Sequence, residues 1–261
     1  MEGYTLITGA CGGLGKAFVE LLASRGESLF LTGRSEERLE ALAAEVQERF
    51  DGIDVQYRAC DLTDSNDRRA FFESLNVPVK RLVYCAGVDN QMAFERYSED
   101  KLAMQARVNF EGAVSFLRGA LAHATLDGKT ELLVIGSMSG VSPMPYFALY
   151  SATKKALEHF TAALRVELKG RAKVTCVLPG SIPTRADIIE NINAHGSFSR
   201  MSALPAQTVA KRALKAVKKN KRKTVIGFWN KLLRFGMALL PLSLRMRVIS
   251  KIWKKTEKEA Y

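Results

Sequence analysis

Tyr4-Thr5-Leu6-Ile7-Thr8-Gly9-Ala10-Cys11-Gly12-Gly13-Leu14-Gly15 is the stretch on which the reading of this chain turns. Tyr4–Ile7 is a short apolar run of strand type. Beyond the glycines, Ala17, Val19, Leu21 and Leu22 mark an amphipathic helix. Four glycines fall in the seven positions from Gly9 to Gly15. Strand, glycine-rich turn and helix, in that order, set backbone N–H groups and a helix N-terminus where a pyrophosphate can sit. The spacing is not Gly-x-Gly-x-x-Gly, because Phe18 stands three residues after Gly15. It is Thr-Gly-x-x-x-Gly-x-Gly, on Thr8, Gly9, Gly13 and Gly15. A tight βα turn without a ligand is the other reading, and the density of glycine counts against it.

Outward from this turn the chain repeats strand and helix. Leu29–Thr32 is a second strand ending in Gly33-Arg34-Ser35. An acid near this point would bind a ribose 2′-hydroxyl, whereas the Arg34 guanidinium suits a 2′-phosphate. Arg34 can also simply open the next helix, residues 36–49, which Ser35 caps and which buries Leu39, Leu42, Ala43 and Val46. Val55–Arg58 is a third strand, followed by Asp61 and by a cap at Thr63 or Asp64. Asp61 is either an adenine contact or a turn residue. Arg81–Tyr84 leads into Cys85-Ala86-Gly87, and a helical stretch over about 98–122 carries Asn109. Glu131–Ile135 ends in Gly136-Ser137. Lys173–Leu178 leads to Pro179-Gly180-Ser181-Ile182-Pro183-Thr184, and Thr224–Ile226 is a short edge strand. Such alternation predicts an α/β, doubly wound parallel sheet of about seven strands with helices on both faces.

A second stretch, Tyr150-Ser151-Ala152-Thr153-Lys154, reads as the start of a helix with Ala152, Ala156, Leu157 and Phe160 at helical spacing. Positions four apart share a helix face, so the Tyr150 phenol and the Lys154 ammonium lie side by side. A free tyrosine has a pKa of about 10, and a neighbouring cation favours the phenolate. Such a phenol can give a proton to a carbonyl oxygen or take one from an alcohol. Ser137 lies 13 residues earlier, close enough for its loop to return beside the phenol. Two unrelated helix residues would show the same Tyr-x-x-x-Lys spacing, so the pair is judged with its surroundings.

These residues together resemble the short-chain dehydrogenase/reductase family, over about residues 3–227. The resemblance rests on the Thr8–Gly15 turn, Arg34, Asp61, Ala86-Gly87, Asn109, Ser137, Tyr150, Lys154 and Pro179-Gly180 through Thr184. It implies a single Rossmann-type domain over residues 1–227 that binds NADP(H). The cofactor residues it implies are Thr8, Gly9, Gly13, Leu14, Gly15, Arg34, Asp61, Ala86, Gly87, Tyr150, Lys154, Pro179, Gly180, Ile182 and Thr184. It gives Ser137 the substrate oxygen, Tyr150 the acid/base step and Lys154 the lowering of the Tyr150 pKa together with the nicotinamide ribose. Asn109 would hold a water linking Lys154 to solvent, and Thr184 the nicotinamide carboxamide. It also implies a homo-oligomer and a substrate loop at about 185–206. One departure stands out: many members have Asn-Asn-Ala-Gly where this chain has Tyr84-Cys85-Ala86-Gly87, so Tyr84 and Cys85 receive no role.

Composition sets bounds on the rest. A chain of 261 residues with 47% apolar and 25% charged content has an ordinary globular make-up. Cys11, Cys60, Cys85 and Cys176 are scattered, which reads as reduced thiols of a cytoplasmic protein. The first strand begins within a few residues of Met1, so no signal peptide is expected, and no apolar run approaches the roughly 18 residues of a bilayer span. Three dispersed histidines suggest no metal site. His159 points off the catalytic face, and His195 in the 185–206 loop reads as an exposed loop residue. Met138, Val141, Met144 and Tyr146 either line an apolar pocket or simply pack.

The net charge of +12 is uneven: residues 211–261 carry +14 and residues 1–210 carry −2. Residues 228–261 read as a basic, amphipathic helical extension. Phe228–Leu240 is mostly apolar, Pro241 interrupts it, and Ser243 caps a second helix to about Lys255. There Met246, Ile249, Ile252 and Trp253 form one face, and Arg247, Lys251, Lys254 and Lys258 another. That pattern suits peripheral contact with an anionic membrane face. A pocket cover or a subunit contact is the alternative, and nucleic acid is not expected. The reading carried forward is an NADP(H)-dependent oxidoreductase interconverting a large apolar ketone and its secondary alcohol, of steroid, long-chain acyl or sphingoid type. A non-catalytic NADP-binding protein at a membrane surface is the competing class, against which the full Ser137/Tyr150/Lys154 set argues.

Overall fold

A computed structural model describes residues 3–194 and 196–254. His195, Lys255 and Lys258 lie outside the described residues. Seven strands run β1 (Tyr4–Thr8), β2 (Leu29–Gly33), β3 (Val55–Ala59), β4 (Val79–Tyr84), β5 (Thr130–Ile135), β6 (Ala172–Leu178) and β7 (Lys223–Val225). They pair in the order β3-β2-β1-β4-β5-β6-β7, every pair parallel. The order reverses between β1 and β4, so the loops after these two strands part and open a crevice at their carboxyl ends.

Alternation along the strands builds two cores. Ile7, Leu29, Leu31, Val83, Leu133 and Val177 face α1 (Gly13–Ala23), α2 (Glu36–Arg49) and α9 (Ala206–Lys218). Leu6, Phe30, Leu82, Tyr84, Leu132 and Val174 face α3 (Ser65–Glu73), α5 (Gly112–Ala122) and α6 (Ala148–Glu167). Successive side chains point to opposite faces, so a strand buried on both sides reads as a continuous apolar run. Helix α2 spans the range expected, with Ser35 accepting from the Arg38 N–H. Asp64, rather than Thr63, caps α3 by accepting from the Asn66 and Asp67 N–H groups.

Four expectations change. The stretch at 98–122 is not one helix: α4 (Glu99–Ala106) and α5 are joined by a π-helical turn over Arg107–Glu111 that contains Asn109. One extra residue in the turn leaves the apolar periodicity nearly unaltered, so sequence does not reveal it. Second, the choice left open for Met138 and Val141 narrows to packing: in a short 3₁₀ turn they pack against Cys176, Leu178 and Val225. Third, the 185–206 loop is largely helical, as α7 (Ala186–Ala194) and α8 (Gly196–Ser202). Fourth, the C-terminal helices are α10 (Phe228–Leu239) and α11 (Leu242–Trp253), with Pro241 rather than Ser243 at the second N-cap. Proline fits the start of a helix because its missing N–H would have no helical acceptor there.

Candidate active site

The crevice begins with the glycine turn. Thr8 Oγ1 accepts from the Cys85 and Ala86 N–H groups, each at 3.1 Å, and so ties the β1 turn to the loop after β4. Gly9 has φ +65, a left-handed conformation where a side chain is strained. A Cβ on Gly15 would lie 2.1 Å from the Gly9 carbonyl oxygen, so the helix can start this close to the turn only with glycine there. Gly12 caps α1 without a side-chain bond, leaving the first N–H groups of the helix aimed at the crevice. A pyrophosphate fits this cradle through its bare backbone donors and its helix N-terminus, with Thr184 resting against Gly13 at the edge.

Farther along the crevice, Arg34 is exposed just beyond β2 and Asp61 is exposed beyond β3. Asp61 accepts from the Thr63 N–H and hydroxyl, each at 2.8 Å, so its turn role is filled. Sequence reasoning missed Arg38. Its Nη2 donates to the Cys11 carbonyl oxygen at 3.2 Å, which places a second guanidinium against the glycine turn, four residues after Arg34.

The acid–base group stands at the other side of the switch point. Ser137 follows β5, and its Oγ accepts from the Ser139 N–H at 3.0 Å. With that acceptor site used, its own proton is free for the Tyr150 oxygen, and the Ser137 hydrogen bond favours the phenolate. Lys154 lies one turn along α6, its Nζ 5.5 Å from the Tyr150 ring centroid and 3.2 Å from the Ile135 carbonyl oxygen that it donates to. Lys154 is 4% exposed, and burial lowers its pKa. A Cβ on Gly87 would meet Lys154 Nζ at 3.1 Å and Asn109 Oδ1 at 3.4 Å, so these groups converge. Asn109 exchanges two 2.8 Å hydrogen bonds with the Val88 backbone, which fixes the loop after Gly87. Tyr84, which sequence left without a role, donates to the Val108 carbonyl oxygen at 2.6 Å and holds the π turn from below. π turns of this kind recur at functional sites.

The expected lowering of the Tyr150 pKa is not what this geometry gives. Burial pushes the phenol above its ordinary value, the Asp89 carboxylate pushes the same way, and the Ser137 bond and Arg185 only partly oppose them. The i, i+4 spacing does bring the two side chains together. Desolvation, which a linear pattern does not display, is the largest influence on the phenol.

A roof covers the pair. Phe147 stacks on Tyr150 with centroids 4.4 Å apart, and Trp253 stacks on Phe147 at 5.1 Å. Gln91 Nε2 donates to the Trp253 carbonyl oxygen at 3.2 Å. Arg185 and Asp89 form an ion pair at 3.4 Å, joining the segment after β6 to the loop after β4. Thr184 rests on Gly13, 2.4 Å from where a Cβ would stand. Pro179 is buried and its carbonyl oxygen accepts from the Met138 N–H at 2.9 Å. A Cβ on Gly180 would run into Asn230, and Ile182 packs on the first core.

A family model described as short chain dehydrogenase matches residues 4–195. The chain belongs to that family. Among curated members, the very-long-chain 3-oxoacyl-CoA reductase of Neurospora crassa is 32% identical over 173 residues, 64% of this chain and 52% of that protein. The 11-beta-hydroxysteroid dehydrogenase-like 2 of Arabidopsis thaliana is 32% identical, over 69% of this chain and 59% of that one. Sulfoacetaldehyde reductase 2 of Chromohalobacter salexigens is 32% identical, over 72% of this chain and 76% of that one. The chain thus spans about half to three fifths of the first two relatives' lengths. Among solved structures, a 7beta-hydroxysteroid dehydrogenase superposes with TM-score 0.83 at 23% identity, over 95% of this chain and 96% of that one. A short-chain dehydrogenase from Sphingobium yanoikuyae in complex with NADPH superposes with TM-score 0.75 at 24% identity, over 92% of this chain and 97% of that one. At these identities the structural matches speak to the fold.

Proposed function

We propose that this short-chain dehydrogenase interconverts a ketone and its secondary alcohol with NADP(H). The observation that carries the reading is the convergence of Ser137, Tyr150 and Lys154 at the carboxyl ends of the strands, across the switch point from the glycine turn. Thr8, Gly9, Gly13, Leu14 and Gly15 would hold the pyrophosphate, with Arg34 and Arg38 beside a 2′-phosphate. Ala86, Gly87, Ile182 and Thr184 would flank the nicotinamide. The bound cofactor supplies or accepts the hydride.

The chain's own groups handle the proton and the charge. Ser137, its oxygen held by the Ser139 N–H, donates to the substrate oxygen and stabilises negative charge as it develops there. Tyr150 delivers its proton to the same oxygen. At neutral pH the phenol carries the proton that carbonyl reduction consumes. Lys154 stands behind the phenol as a buried cation that favours the phenolate left by proton transfer. Asn109 holds the Val88 backbone, and through it the floor of the site.

An apolar substrate suits the roof. Phe147 is sandwiched between Tyr150 and Trp253, which leaves the Trp253 ring as the aromatic surface over the stack, and each aromatic pair is worth about 0.5–1.5 kcal/mol beyond its buried area. The relatives named for very-long-chain 3-oxoacyl-CoA and hydroxysteroid support an acyl or steroid ketone. The relative named for sulfoacetaldehyde points to a small polar one, and the aromatic roof favours the former. The test is oxidation of NADPH and of NADH in the presence of a panel of steroid, long-chain acyl and small polar ketones. Turnover of the bulky apolar ketones with NADPH supports the proposal. Cofactor binding without turnover of any ketone contradicts it and favours a binding protein.

A further inference from the structure

Helix α10 is built the wrong way round for a body-packing helix. Phe228, Leu232, Phe235 and Leu239 recur at three- and four-residue spacing and share one face. That face points away from the protein: Phe228 is 70%, Phe235 64% and Leu239 70% exposed. The residue turned inward is polar. Asn230 is buried and donates to the Ser202 carbonyl oxygen at 2.9 Å and the Ile226 carbonyl oxygen at 2.8 Å. Helix α11 continues the pattern, with Leu244, Val248 and Ile252 exposed on one side. Trp253, counted with the outer face in the sequence, turns in to stack on Phe147. Exposed apolar stripes of this length mark a contact site.

Charge selects the occupant. Between residues 228 and 254 there are six basic residues, Lys231, Arg234, Arg245, Arg247, Lys251 and Lys254, and no acid. Lys231, Arg247, Lys251 and Lys254 are exposed beside the apolar stripes. A second copy meeting this surface face to face would bring two such sets of cations together with no acid between them. An anionic lipid leaflet offers what the surface lacks: apolar depth for the stripe and negative headgroups for its flanks. No helix among the described residues is long and apolar enough to cross a membrane, so α10 and α11 would lie in the interface.

We propose that helices α10 and α11 dock the protein on an anionic bilayer, with Phe228, Leu232, Phe235 and Leu239 in the apolar boundary and Lys231, Arg247, Lys251 and Lys254 on the headgroups. The next helix, α11, carries some of the docking cations on its outer side and Trp253 on the side that roofs the Tyr150 site. The proposal stands apart from the catalytic reading and is tested without cofactor or substrate.

The experiment is flotation of the full chain with vesicles of phosphatidylglycerol and phosphatidylcholine, or of phosphatidylcholine alone, at low and high salt. The wild-type chain alone suffices for the first arm: it is expected to float with anionic vesicles at low salt and to be released by high salt. In the second arm, Phe235→Asp with Leu239→Asp, and separately Arg247→Glu with Lys251→Glu, are each expected to reduce the bound fraction at least about tenfold. Both pairs are at exposed positions, and unchanged thermal melting shows that the fold is intact. Wild-type protein that stays in solution with anionic vesicles at low salt overturns the proposal. So does binding that is equal on neutral vesicles, or unaffected by both double variants. Conversion of a stable dimer to a monomer by the aspartate pair, without vesicle binding, overturns it in favour of a contact between copies.

Discussion

Two buried charged clusters sit at opposite ends of the same strands, and they are balanced differently. At the amino ends, Glu131, 2% exposed, accepts from Arg81 Nε at 2.8 Å and from Lys173 at 3.2 Å. Arg81 continues to Glu27 at 2.7 Å, which also meets Lys80 at 3.1 Å. Every charge there has a counter-charge at contact. Burial pushes the Glu27 carboxyl up, yet Arg81 and Lys80 hold it below its ordinary value of 4.5. At the carboxyl ends, Lys154 is as deeply buried and has no carboxylate within ion-pair distance among the described residues. Its hydrogen-bond acceptor is a backbone carbonyl, and burial drives its pKa down. The first cluster is complete without a ligand. The second holds a cation at a cost in stability, which is the arrangement expected where charge appears during a reaction.

Substitutions at the two clusters should therefore have opposite signatures. Lys154→Met removes the uncompensated cation and the partner of Tyr150. Turnover should fall by about 10²–10⁴-fold, the range of a positioned acid–base group. The melting temperature should stay level or rise. The sign of its pH dependence follows from the lowered Lys154 pKa. Between the folded value and 10.5 the unfolded chain binds more protons, so wild-type stability rises with pH in that window. The advantage of the methionine variant should then be greatest below the window and shrink toward its upper end, as read by melting at a series of pH values.

Glu131→Gln should do the reverse. It leaves Arg81 and Lys173 with one fewer counter-charge, and breaking a buried pair costs about 3–5 kcal/mol. At roughly 2–4 °C per kcal/mol for a domain of this size, melting should drop by about 6–20 °C. Turnover per folded molecule should stay near wild type. A Glu131 variant that loses turnover without losing stability would erase the distinction between the two ends.

Arg34→Asp gives the smallest expected effect and bears on the cofactor edge of the crevice. Charge-assisted contacts of about 1.5–3 kcal/mol imply roughly a ten- to hundredfold weaker NADPH dissociation constant, with NADH much less affected. Equal losses for the two cofactors would show that Arg34 does not read the 2′-phosphate and would shift that role to Arg38.

Legibility in the sequence followed the range of the interactions. The strand–helix alternation and the site's skeleton were readable because glycine turns, caps and the Tyr150–Lys154 spacing are local. The 36–49 helix was placed well because Ser35, Leu39, Leu42, Ala43 and Val46 define it without outside help. Three features depended on distant partners and stayed hidden. Arg38 reaches the Cys11 carbonyl across 27 residues. Trp253 was grouped with the outer face of α11, because a helix with two apolar sides does not declare which one meets the body. The Tyr150 pKa turned on burial, and the Phe147 ring stacked on Tyr150 is itself covered by Trp253 from far along the chain.

The account rests most heavily on Tyr150 as the proton-transferring group, and Tyr150→Phe tests it most directly. Phenylalanine keeps the ring stacked on Phe147 and removes only the hydroxyl. The measurement is the kcat for reduction of the best ketone from the panel, alongside the NADPH dissociation constant from fluorescence titration. The expected result is a kcat lower by about 10²–10⁴-fold with NADPH binding unchanged. A kcat within a few-fold of wild type, at equal NADPH affinity, would contradict the assignment and leave the buried Lys154 without the partner that explains it.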